Sequence, residues 1–148
     1  MKIKAILLTI TLLILIAPSC KKEDQLEKDI LTIESYLAEN NIEAIRHSSG
    51  LFYVIETAGG AQKPGANATV TVSYKGTFLN GNVFDQNQYV NFELPTLIEG
   101  WKIGIPLIGA GGKIKLFVPS TLAYGSSDRN GIPANSVLIF EITLHYFA

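Results

Sequence analysis

Apolar and polar positions recur with two different periods along this 148-residue chain, and the change of period divides it. From Asp24 to Glu39, Leu26, Ile30, Ile33 and Leu37 follow one another at spacings of four, three and four, which places them on one stripe of a helix. Asn40-Asn41 ends it. The stripe fits three arrangements: packing on the domain that follows, pairing with a second chain, or serving as a spacer. Packing on its own domain is the simplest.

Beyond Ser48-Ser49-Gly50 the period shortens to that of strands joined by turns. Leu51–Glu56 is the first such run, and Thr69–Phe78 sets Val70, Val72 and Tyr74 against Thr71, Ser73 and Lys75, the alternation of a half-buried strand. Asn80-Gly81 marks a tight turn. The stretch from Thr96 to Leu107 predicts a short helix with Leu97, Trp101 and Ile105 on one face, where Gly100 and Gly104 leave room for close packing. Lys113–Val118 and Val137–Phe147 are further strands. Between them runs Pro119 to Ser136, a long loop of Ser, Gly, Asn and Pro, and loops of this length are often functional. The sum is an α+β fold, an antiparallel β-sheet closed by one short helix and preceded by an amphipathic helix.

The N-terminus changes the picture of where this domain works. Met1-Lys2-Ile3-Lys4 and the apolar run Ala5 to Ala17 have the layout of an export signal. The run is short of the roughly 20 apolar residues that span a bilayer, and it meets Pro18-Ser19-Cys20 and then Lys21-Lys22-Glu23-Asp24. Cys20 is the only cysteine, so no disulfide can form within the chain. Its place behind the small Ser19 resembles a bacterial lipoprotein signal, in which the cysteine is diacylated and becomes the mature N-terminus. Ala17, where Leu is usual, departs from that pattern. The expected organisation is a signal peptide over 1–19, an anchor spacer and helix over 20–48, and one domain over 49–148. Loss of Lys2 and Lys4 with the signal moves the formal charge from −1 to −3. So acidic a chain has no footprint for nucleic acid and no polybasic block for lipid. The expected address is the cell envelope, through a lipid anchor in the membrane. Lys21, standing where an Asp often retains lipoproteins at the inner membrane, favours the outer one.

Several chemistries find no support. His47 and His145 lie about a hundred positions apart with no ligand spacing, so no metal is expected. Gly109-Ala110-Gly111-Gly112-Lys113 lacks a Ser or Thr after the Lys and runs from helix into strand, which makes it a turn rather than a phosphate loop. No Ser sits in a Gly-x-Ser-x-Gly turn. Any activity has to proceed without cofactor, metal or covalent intermediate.

What remains is a set of spaced aromatics. Val70-Thr71-Val72-Ser73-Tyr74-Lys75-Gly76-Thr77, Gly81-Asn82-Val83-Phe84-Asp85, Leu97-Ile98-Glu99-Gly100-Trp101, Leu122-Ala123-Tyr124-Gly125 and the segment from Ile132 to Glu141 stand in order. In content and spacing they resemble the successive signature blocks of the FK506-binding (FKBP) family of peptidyl-prolyl cis-trans isomerases, over about residues 50 to 147. The resemblance implies a twisted antiparallel sheet wrapped around a short helix, with an aromatic cleft between them. It further implies Trp101 as the floor, with Tyr74, Phe84, Leu97, Ile98, Ile132 and Phe140 as walls and Asp85 and Tyr124 at the rim. Catalysis would fall to Tyr74, Asp85, Ile98 and Tyr124. The Ile98 N–H and Tyr124 hydroxyl would hold the carbonyls beside the bond that turns, with Asp85 near the rotating one. Proline-containing polypeptides would be the partners, and FK506-type macrolides would enter the same cleft. An apolar aromatic pocket also suits a proline ring on chemical grounds, since it has no donor to satisfy.

Departures from the family pattern are local. Gln86 to Val90 carries no basic residue to pair with Asp85, Val90 stands where a further pocket aromatic is common, and Ser126 to Gly131 is too short to hold an inserted chaperone domain. A non-catalytic proline-binding or chaperone module at the envelope is the competing function, because fold does not guarantee activity.

Overall fold

The computed structural model describes residues 18–129 and 131–148, with side chains from Lys21 onward. Residues 1–17 of the expected export signal and the Cys20 side chain lie outside the described residues. A six-stranded, wholly antiparallel sheet runs in the order β1-β2-β5-β6-β3-β4. Its strands are β1 (Ile45–Arg46), β2 (Phe52–Thr57), β3 (Thr69–Phe78), β4 (Val83–Glu93), β5 (Lys113–Val118) and β6 (Leu138–Phe147). Two helices accompany it, α1 (Pro18–Glu39) and α2 (Glu99–Gly104). No helix among the described residues is long and apolar enough to cross a membrane.

One face of the sheet is covered by the main core and the other in part by α1, and the strands read accordingly. Along β5, Ile114, Leu116 and Val118 point into the main core with Trp101 and Ile105, while Phe117 points the other way, into a second core with Ile30, Ile33 and Leu37 of α1. Leu138 and Phe140 of β6 likewise face α2, and Ile139 faces α1. Burial on both sides explains why Leu116–Val118 and Leu138–Phe140 are continuously apolar, whereas β3, covered mainly on one side, alternates.

The stripe predicted on α1 therefore packs on its own domain, with Ile33 fully buried. The helix begins at Pro18 rather than Asp24. Lys21 to Asp24 are polar on every side and give no periodic signal, although Lys and Glu are good helix formers. Asn41 ends the helix in the left-handed conformation, at φ 53°, where Asn is tolerated.

The predicted helix at 96–107 is broken into a 3₁₀ turn at Leu94–Thr96, the short α2, and a second 3₁₀ turn at Ile105–Leu107. Its glycines act as expected: a Cβ at Gly100 would lie 2.6 Å from Val118, and one at Gly104 2.6 Å from Leu116. α2 can sit against β5 only because those atoms are absent. β4, an edge strand that is mostly exposed, has too little apolar pattern to be read as a strand from sequence.

Candidate active site

The core opens beside α2 into a cleft of about 210 Å³, lined by Tyr74, Asp85, Phe92, Leu97, Ile98, Trp101, Tyr124 and Phe140. A larger depression on the back of the sheet, about 650 Å³, is bordered by polar strand residues such as Lys75, Glu141 and Thr143. That depression has the make-up of a solvated sheet face rather than a site for an apolar group.

Trp101, only 4% exposed, forms the base of the cleft. Three rings meet it nearly at right angles: Tyr74 at 5.1 Å and 78°, Phe140 at 5.3 Å and 90°, and Phe92 at 6.0 Å and 80° between centroids. Edge-to-face contacts of this kind set the positive rim of one ring against the negative face of another and fix ring orientation. Phe84 stands behind them, edge-on to Phe140 at 5.6 Å. Gly76 of β3 makes this close approach possible, since a Cβ there would fall 2.5 Å from the Phe84 ring.

The rim is polar. The Tyr74 hydroxyl donates to Asp85 Oδ2 at 2.6 Å. A hydrogen bond this short to a carboxylate is of the charge-assisted, strong kind. It fixes Asp85 from β3, across the sheet, in the absence of a basic residue between Gln86 and Val90. Burial and then the Asp85 hydrogen bond push the Tyr74 phenol well above its ordinary value of 10.0. Burial also raises Tyr124, the nearby Asp85 charge adds to the rise, and Arg129 opposes it. The Arg129 guanidinium lies 6.0 Å over the Tyr124 ring. Ile98 precedes α2, and its N–H meets no protein acceptor among the described residues. The cleft thus offers an apolar aromatic base with hydroxyl and amide donors around its mouth.

Of the nine residues expected at the cleft, Tyr74, Asp85, Leu97, Ile98, Trp101, Tyr124 and Phe140 border it. Phe84 and Ile132 do not. Phe84 is drawn back over Gly76, and Ile132 is buried in the main core and bridged to Arg129. Phe92 borders the cleft without having been anticipated, two positions beyond Val90.

A family model described as FKBP-type peptidyl-prolyl cis-trans isomerase matches residues 60–145, more than half of the chain. The chain belongs to this family. FKBP-type peptidyl-prolyl cis-trans isomerase FkpA of Buchnera aphidicola subsp. Acyrthosiphon pisum is 50% identical over 102 residues, 66% of this chain and 42% of that protein. The outer membrane protein MIP of Legionella longbeachae is 43% identical over 101 residues, 65% of this chain and 43% of that protein. Among solved structures, the crystal structure of FkpA from Escherichia coli superposes with a TM-score of 0.74 at 35% identity, over 87% of this chain and 63% of that one. The chain spans about two fifths of the length of these curated relatives. The FKBP-type match begins after β2, so α1 lies outside it.

Proposed function

We propose that the chain accelerates cis-trans rotation of X-Pro peptide bonds in exported proteins. The observation that carries this reading is the Trp101 base ringed by Tyr74, Phe92 and Phe140, with the Tyr124 phenol and the Ile98 N–H as donors at its mouth. Rotation about a peptide bond has a barrier of about 18–20 kcal/mol because amide resonance is broken on the way. No covalent bond is made or cleaved. A water-poor cleft removes solvent that stabilises the planar, charge-separated amide, and a wall shaped for the twisted form binds it better than either planar isomer.

In this reading the proline ring rests on Trp101 against Phe140, Leu97 and Phe92. The Ile98 N–H and the Tyr124 hydroxyl hold the flanking carbonyls. Asp85, tethered by Tyr74, stands near the rotating carbonyl, and Phe84 and Ile132 support the walls from behind. FK506-type macrolides would occupy the same cleft. The isomerase domain is taken as 49–148, preceded by a signal peptide over 1–19 and a spacer with helix over 20–48. Lipid on Cys20 would anchor the protein in the cell envelope, and the outer membrane protein named among the relatives supports that address.

The test is a cis-to-trans assay on Leu-Pro and Phe-Pro peptides with purified residues 21–148, with and without FK506. Acceleration that the drug suppresses is expected, together with a change in the fluorescence of the single tryptophan. Peptide binding without acceleration would replace catalysis by a proline-binding module.

A further inference from the structure

Among the described residues only two buried side chains are polar or charged, Asp29 at 3% exposure and Ser120 at 1%, and they meet across 91 positions of sequence. Asp29 Oδ2 accepts the Ser120 backbone N–H at 2.8 Å and the Ser120 hydroxyl at 2.6 Å. Its Oδ1 accepts the Gln25 amide at 2.7 Å. Each Asp29 oxygen therefore meets donors that stand in for water, which a buried carboxylate needs. Stability alone gives weak reason for such a group, since well-packed apolar residues often serve as well or better in its place. The reason lies in what Ser120 holds.

Ser120 opens the 3₁₀ turn Ser120–Leu122, and its carbonyl accepts the N–H groups of Ala123 at 3.0 Å and Gly125 at 2.8 Å, the two neighbours of Tyr124. The Gly125 carbonyl in turn accepts the Asn135 N–H at 2.8 Å. Ser120 is thus fastened on its donor side by α1, while its acceptor side fastens the turn that carries Tyr124. We propose that Asp29 is a positioning residue for the cleft, acting through Ser120 to hold the Tyr124 hydroxyl at the rim. This makes α1, although it precedes the family match, part of the working site. The proposal deepens the isomerase reading and rests on it.

The experiment compares the full chain with Asp29→Asn, Ser120→Ala and Tyr124→Phe, singly and combined, in peptide isomerisation and in amide hydrogen exchange. Asp29→Asn should lower kcat/KM about threefold or more but by no more than Tyr124→Phe does, as expected when a catalytic contact is misplaced rather than removed. Tyr124→Phe should then cause little further loss in that background. Exchange should quicken at Ala123 and Gly125 while Leu116 and Phe140 stay protected. Losses that multiply in the double variant would overturn the proposal, as would a lowered urea midpoint with unchanged kcat/KM per folded molecule. Should Asp29→Asn fail to fold, Ser120→Ala, which removes one hydroxyl, is judged by the same criteria. A wild-type chain without isomerase activity sinks the functional reading instead. The exchange comparison then still decides the clamp, because an unchanged rate at Gly125 in Asp29→Asn refutes it.

Discussion

Tyr124 supplies the hydroxyl donor at the cleft mouth while Tyr74 tethers Asp85, and both phenols are held protonated beyond the ordinary range, chiefly by burial. A raised pKa binds the proton more tightly in the folded state. Its contribution to stability is therefore complete below the unfolded value of 10.0 and is lost as pH rises through the folded one. Turnover should accordingly be nearly flat from about pH 6 to 8, because no proton is transferred in the reaction. The urea midpoint should begin to fall only above about pH 10, and Tyr74→Phe should make that fall shallower. A bell-shaped rate profile centred near neutrality would sink the mechanism. Removal of a single rim donor is a milder change. Tyr124→Phe should lower kcat/KM about three- to tenfold, in keeping with roughly 0.5–1.5 kcal/mol for one hydrogen bond, and steady-state assays of the folded variant would measure it. At this scale the sequence revealed Trp101, Tyr74 and Phe140 through their spaced motifs, yet missed Phe92. The cause is the irregular pairing of β3 with β4, where Val72 faces Val90 but Tyr74 faces Asn87, with Tyr89 between them at φ 52°. An extra residue of this kind changes which side chain reaches the cleft, and linear spacing cannot register it.

Elements were legible to the extent that one face of each is dry. β3 and β5 fall where alternation and apolar run place them, and β6 begins one residue late. β4 escaped because an edge strand facing water on most of its length carries no period, and the two-residue β1 is too short to have one. For α1 the stripe was visible, but its partner was not, since the same spacing serves a dimer as well as a domain. The second core now assigns energy to that stripe. Ile33 is completely buried against the sheet, so Ile33→Ala should lower unfolding free energy by about 2–5 kcal/mol. Leu31, 58% exposed on the opposite side, should tolerate the same change within about 0.5 kcal/mol. Urea denaturation of both variants checks the pair. Equal effects at the two positions would mean that α1 is not docked in solution.

For the whole molecule, α1 joins the proposed anchor to the proposed site. Cys20 precedes Leu26, the first residue of the docked stripe, by six positions, about 9 Å along a helix. The segment over 20–48 is thus no loose tether, and a lipid on Cys20 would hold the domain at the bilayer rather than on a string. Lys21, Lys22 and Gln25 border a depression of about 570 Å³ together with Ser120 and Tyr124, so the end of the helix nearest the anchor also lies beside the cleft mouth. Attachment and chemistry nonetheless rest on different atoms. Acyl chains contribute about 0.8 kcal/mol per buried methylene, and two of them on one cysteine make binding stable where a single chain is marginal. With the formal charge of −3 that loss of the proposed signal would leave, the protein would have no net electrostatic attraction to anionic lipid to take their place. Cys20→Ser should therefore move the protein from the membrane to the soluble fraction after cell lysis, while kcat/KM on a short X-Pro peptide stays at the wild-type value. Retention of Cys20→Ser in the membrane fraction after a high-salt wash would reject the lipid anchor. Release accompanied by a loss of peptide activity would instead show that the start of α1 depends on the anchor to hold the Tyr124 turn.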